Sequence, residues 1–128
     1  MAKEKILVVD DEKDFVDLIS GWLEMKKFRV MKAYDGKEGF EKIRSERPDL
    51  MLLDITMPEM NGYDLCVKLK TDKDYKDIPI IILSAHFQPN DIEFGKAVGA
   101  AAYMTKPVEL EQLMHKMEEL LGSKSSKL

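Results

Sequence analysis

A chain of 128 residues with 45% hydrophobic content fits one ordinary domain, large enough to bury a single core. Its one cysteine rules out an internal disulfide framework, and a formal charge of −4 without a basic stripe argues against holding nucleic acid by phosphate neutralisation. No apolar run approaches the roughly 20 residues needed to span a bilayer. Met1-Ala2-Lys3 leads straight into an apolar run with no signal-type stretch, so the expectation is a cytoplasmic protein without membrane contact.

In chain order, "ILVV" from Ile6 reads as a first strand and is followed at once by Asp10 and Asp11. A helix comes next, with Phe15, Leu18, Ile19, Trp22 and Leu23 on one face. "FRVMKA" from Phe28 is a weaker strand; Asp35 then caps a helix from Gly36 to Ser45 that turns Phe40 and Ile43 inward. "LMLL" from Leu50 is the third strand and ends on Asp54. Asn61 is placed to cap a helix running to Lys70, with Leu65, Cys66 and Leu69 inward. "IIIL" from Ile80 leads to Ser84, and Asn90 is the expected cap of a helix to Val98 with Phe94, Ala97 and Val98 inward. "AAYM" from Ala101 precedes Lys106 and Pro107. The last helix carries Leu110, Leu113, Met114, Met117 and Leu121 on one face, with Gly122 as its stop, giving a domain over 1–122 and a flexible tail over 123–128.

The three strong apolar runs lack polar alternation, as suits parallel strands covered on both faces. Five βα units with short connections then predict an α/β fold, an open doubly wound five-stranded parallel sheet between two layers of helices. Ligands in such sheets bind at the carboxyl ends of the strands. That rule gathers Asp10, Asp11, Asp54, Ser84 and Lys106 at one rim. Alone, each has an ordinary use: the aspartates as helix caps, Ser84 as a strand-end hydroxyl, Lys106 as a surface charge. Together, three carboxylates repel and raise each other's pKa unless a cation joins them. All-oxygen ligands in small number favour Mg²⁺, with Mn²⁺ as a substitute. A metal, a lysine and a hydroxyl around a carboxylate make a set for phosphoryl transfer, with Asp54 as the nucleophile.

The segments "VVDDE", "LLDITMPEMNG", "IILSA" and "GAAAYMTKP" resemble, in order and spacing, the markers of the response-regulator receiver domain of bacterial two-component signalling, and the likeness spans Ile6 to Leu121. The resemblance implies a flavodoxin-like sheet in the order 2-1-3-4-5. It implies Asp10 and Asp11 as an acidic metal pair, Asp54 as the phosphoacceptor and a metal ligand, and the Thr56 backbone carbonyl as a further ligand. Ser84 becomes the switch hydroxyl, Tyr103 the switch aromatic and Lys106 the family's lysine, joined to Pro107 by a cis peptide. Thr56 and His86 fall where side chains tune the hydrolysis of the aspartyl phosphate. The implied partners are a sensor histidine kinase or a histidine phosphotransfer protein as donor, and a downstream protein or output domain. The implied activity is self-phosphorylation and self-dephosphorylation rather than turnover of a separate substrate.

Two enzyme classes on similar architectures fit less well. A haloacid-dehalogenase-type phosphatase needs a second carboxylate where Thr56 stands, and a flavodoxin needs a hydroxyl- and glycine-rich loop where "DDEKD" stands. A receiver fold kept only for docking is disfavoured by the complete set of acidic, hydroxyl and lysine residues. Cys66 and Trp22 read as core, the nine methionines largely as core filler, and His115 as solvent-facing.

Overall fold

The structure is a computed structural model, and it describes residues 4–55, 62–85 and 89–125. Five strands, β1 (Lys5–Val9), β2 (Arg29–Ala33), β3 (Leu50–Leu53), β4 (Ile80–Ser84) and β5 (Ala102–Thr105), alternate with five helices. These are α1 (Lys13–Met25), α2 (Gly36–Glu46), α3 (Gly62–Lys70), α4 (Pro89–Ala97) and α5 (Leu110–Ser125). The strands are all parallel, in the order β2-β1-β3-β4-β5.

The unbroken apolar runs are explained by which way successive side chains point. Ile6, Val8, Leu50, Leu52, Ile81 and Leu83 face one way and pack on Val16, Ile19, Leu23, Leu113 and Met117 of α1 and α5. Leu7, Val9, Met51, Leu53, Ile80 and Ile82 face the other way, onto Ile43, Leu65, Cys66 and Leu69 of α2 and α3. A strand with period-2 geometry can be apolar throughout only when both its faces are covered. Asp35 caps α2 by accepting the Glu38 N–H at 2.8 Å, and Glu38 accepts the Tyr34 N–H at 2.7 Å. The start of α2 is thereby fixed by side chains on both sides of the turn.

Five expectations need correction. Leu18 is 66% exposed, and Val16 replaces it in the buried stripe; at 3.6 residues per turn Leu18 projects roughly 100° from Ile19, away from Val16 and Leu23. Phe94 is 52% exposed, because the place on α4 nearest the sheet belongs to Gly95, whose backbone lies against the Tyr103 ring. Ala97, on the same helix, is exposed as well, and Val98 is half-buried. Helix α4 starts at Pro89, so Asn90 stands inside its first turn; proline suits that position because its fixed φ is helical and no N–H is lost there. Gly122 does not stop α5, which runs on to Ser125. Asn61 lies outside the described residues.

Candidate functional site

The sheet register brings the rim together. Val9 pairs with Leu53, so Asp10 and Asp54 are the next residues on adjacent strands, and each is tied down by its backbone: Asp54 N–H donates to the Val9 carbonyl at 2.9 Å and Asp10 N–H to the Ala33 carbonyl at 3.1 Å. On the other side of β3, Ser84 closes β4, and its carbonyl accepts the Lys106 N–H at 2.8 Å, which sets where the lysine leaves β5. The Lys106–Pro107 peptide bond is cis.

Asp10 and Asp54 are buried, 1% and 4% exposed, and Ser84 is fully buried. Lys106 reaches into them. Its Nζ donates to Asp10 Oδ2 at 2.7 Å and to Glu12 Oε1 at 2.8 Å, and stands 3.7 Å from Asp54 Oδ2. The Phe15 ring lies under the same ammonium, 4.3 Å from centroid to Nζ. The second Asp10 oxygen accepts the Glu12 N–H at 2.9 Å, which bends the chain into α1.

The electrostatics follow from burial and this lysine. Burial pushes the Asp10 carboxyl up to about 6; the Lys106 hydrogen bond and the Glu12 N–H pull it down, and the Asp54 charge adds to the rise. Burial alone would lower Lys106, but its hydrogen bonds to Asp10 and Glu12 and the nearby Asp54 raise it above the usual lysine value. The Lys106 hydrogen bond holds Glu12 below the usual glutamate value.

The carboxylates that converge are Asp10, Glu12 and Asp54, with one oxygen from each lying within 4.8 Å of the others. Such an all-oxygen, multiply anionic set suits a hard divalent cation such as Mg²⁺. Sequence reasoning missed Glu12 and named Asp11, which is exposed and lies outside that cluster. The signal for Glu12 was its spacing: an N–H two residues after an aspartate is within reach of that aspartate's side chain, and the bond brings the Glu12 carboxylate to the rim. Tyr103 is half-buried on β5 on the face that meets α4, and the predicted Thr56 and His86 lie outside the described residues.

The chain matches the family model of the response regulator receiver domain over residues 6–118. It is 37% identical over 118 residues to Protein PilH of Pseudomonas aeruginosa, covering 92% of this chain and 98% of that protein. It is 36% identical to the alkaline phosphatase synthesis transcriptional regulatory protein PhoP of Bacillus subtilis, covering 92% of this chain but only 48% of that protein. The chain thus spans nearly all of one such relative and about half of several others. A CheY-like response regulator receiver domain protein from Methanospirillum hungatei superposes with a TM-score of 0.91 at 30% identity, covering 99% of this chain and 100% of that one. The chemotaxis protein CheY4 of Vibrio cholerae gives 0.87 at 31% identity, over 93% and 99%. From the sheet order, the acidic rim with its lysine, and the match over residues 6–118, the chain belongs to the response regulator receiver domain family.

Proposed function

We propose that Asp54 accepts a phosphoryl group from a histidine kinase or a histidine phosphotransfer protein, and that the domain transmits this event by a change of shape. The observation that carries the reading is Asp54 itself: a nearly buried carboxylate at the end of the central strand, with an ammonium 3.7 Å away and a second buried carboxylate on the adjacent strand. In a site of low dielectric, fixed positive groups stabilise a phosphoryl group far better than they would in water. Asp10, Asp11, Asp54 and the Thr56 carbonyl are the residues proposed to hold Mg²⁺, or Mn²⁺ in its place. Its chemistry is charge neutralisation on the phosphoryl oxygens. Lys106 supplies the protein's own cation, poised to exchange Asp10 and Glu12 for the new acyl phosphate. Ser84 supplies a hydroxyl donor from the next strand, and Thr56 and His86 tune hydrolysis.

Tyr103 and Met104 line a groove of about 600 Å³ with Lys96, Gln112 and His115, between α4, β5 and α5. A movement of Tyr103 would reshape that groove, which supports its role as the switch aromatic and this face as the one read by a partner or output domain. The domain acts only on itself, in the cytoplasm, and catalyses no turnover of a separate substrate.

The test is intact mass after incubation with acetyl phosphate and Mg²⁺. Wild-type protein is expected to gain one hydroxylamine-labile phosphoryl group, and Asp54→Asn protein none. An Asp54→Asn protein that still gains that group would remove the assignment.

A further inference from the structure

Glu12 stands at the N-cap of α1, yet its side chain does no capping: it accepts no backbone N–H of the first turn. Serine, threonine, asparagine and aspartate suit that position because their oxygens are close to the backbone, and glutamate is not among them. What the turn does instead is aim the side chain. The Glu12 N–H donates to Asp10 Oδ1 at 2.9 Å and the Glu12 carbonyl accepts the Val16 N–H at 3.0 Å, so its backbone is pinned on both sides. The carboxylate then accepts from Lys106 Nζ at 2.8 Å. Phe15, in the same first turn, sets its ring under that ammonium, where the ring face attracts the cation. The start of α1 is thus a seat for one lysine.

Lys106 has three ammonium N–H groups to place. Asp10 and Glu12 accept at hydrogen-bond length, whereas Asp54 Oδ2 stands at 3.7 Å, beyond it. For Lys106 to close on a phosphoryl group carried by Asp54, one of those bonds has to yield. The two are unequal, because the Asp10 side chain is 2% exposed and the Glu12 side chain 64%. Breaking a buried pair leaves a charge unpaired in low dielectric, while an exposed carboxylate simply returns to water. Glu12 is the partner that lets go first.

We propose that Glu12 is a positioning residue that seats Lys106 short of Asp54, so that a phosphoryl group has to draw the lysine off Glu12 to engage it. This rests on Asp54 as the phosphoacceptor and adds a side chain, outside the reacting atoms, that sets the cost of recruiting the lysine. An exposed ion pair is worth a factor of about 1.5 to 5 in an equilibrium. Glu12 therefore trims the occupancy of the phosphorylated state rather than switching it on or off.

Beryllofluoride, a stable mimic of the phosphoryl group, gives the readout, with its affinity measured by calorimetry at saturating Mg²⁺ so that metal binding does not enter. Glu12→Gln removes the charge at the same length, and Glu12→Ala removes the acceptor too; the fold should tolerate both, since the side chain is exposed and caps nothing. At low salt, Glu12→Gln is expected to bind beryllofluoride about two-fold more tightly than wild type, and Glu12→Ala up to about five-fold. At roughly 1 M salt, where charges are screened beyond about 3 Å, that advantage should shrink toward nothing. In wild type, the ¹³C signal of the Glu12 carboxylate should move when beryllofluoride binds, as Lys106 leaves it. Equal or weaker binding by both variants, an advantage that salt does not touch, or a Glu12 signal indifferent to bound beryllofluoride would each overturn the seat and leave Asp54 as the phosphoacceptor. A wild-type protein that binds no beryllofluoride would overturn the phosphoacceptor reading, and the seat with it.

Discussion

Lys106 donates to Asp10 at 2.7 Å, joining the segment after β5 to the end of β1 across the ends of β3 and β4. Both groups are largely withdrawn from water, and Lys106 is the main compensation for the Asp10 charge, while Lys106 itself keeps Glu12 as a second partner. Removing one partner of a buried pair typically costs about 3–5 kcal/mol, because the survivor is left charged in low dielectric. Asp10 has an escape, since it can take a proton. Lys106→Met is therefore expected to lose more stability at pH 8 than at pH 5, measured by urea unfolding against wild type at each pH. An equal loss at both would mean that the lysine acts through packing on Phe15 instead.

Asp10 is a carboxyl that burial pushes up to about 6 in the folded protein, above its ordinary value of 3.8. The sign follows directly: the folded state binds the proton more readily, so stability is highest with Asp10 protonated and falls as pH rises from 3.8 to about 6. An isosteric Asp10→Asn removes the charge and is expected to raise stability at pH 7 by on the order of 1–3 kcal/mol, the size of such a shift in free energy. Near pH 4 the two proteins should converge. A variant less stable than wild type at pH 7 would mean that the ion pair with Lys106 outweighs the burial of the charge.

If Asp10 holds Mg²⁺ as proposed, the ion and a proton compete for the same carboxylate oxygens. The rise in thermal midpoint with added Mg²⁺ should therefore shrink as pH falls below about 6. The Glu12 carboxylate is already neutralised by Lys106, while Asp11 is exposed beside it. Asp11→Asn is accordingly expected to weaken Mg²⁺ affinity more than Glu12→Gln, by roughly ten-fold against a few-fold, the scale on which one ligand is usually felt. The reverse order would make the observed cluster of Asp10, Glu12 and Asp54 the cation site as it stands.

Gly62 begins α3 where the helix backbone presses against β3's exit. A Cβ there would come within 2.5 Å of Ile55 Cα and 2.7 Å of the Asp54 carbonyl oxygen, both backbone atoms that cannot rotate away. Gly62→Ala is expected to cost about 1–3 kcal/mol, as overpacking does, and to slow phosphorylation by acetyl phosphate through displacement of Asp54. A variant with wild-type stability and rate would mean that α3 slides freely on the strand.

Much of this was legible because parallel strands announce themselves. "ILVV", "LMLL" and "IIIL" can be buried on both faces only inside a covered sheet, and their last residues had to meet at one rim, so Asp10, Asp54, Ser84 and Lys106 could be placed before any coordinates. Helix faces were less legible. Leu18 and Phe94 are apolar at helical spacing, yet solvent and a neighbouring tyrosine receive them. Apolar spacing shows that a stripe exists; it does not show which side chain a bare glycine backbone will displace, as Gly95 does on α4. Glu12 was missed for a different reason: its place beside Lys106 arises from a turn closed by Asp10, a local bond without a periodic signature.

The pairing of Val9 with Leu53 also works as a ruler. Asp10 and Asp54 each stand one step past that rung, so their separation derives from the distance between neighbouring strands, about 4.8 Å, and a slip of one residue would displace them by about 3.3 Å and turn one away. The ruler lies wholly in the sheet. Turns at the opposite end, such as the exposed Lys26 and Lys27 between α1 and β2, can lengthen or change without recalibrating the site, which leaves them free to diverge while the chemistry stays in gauge.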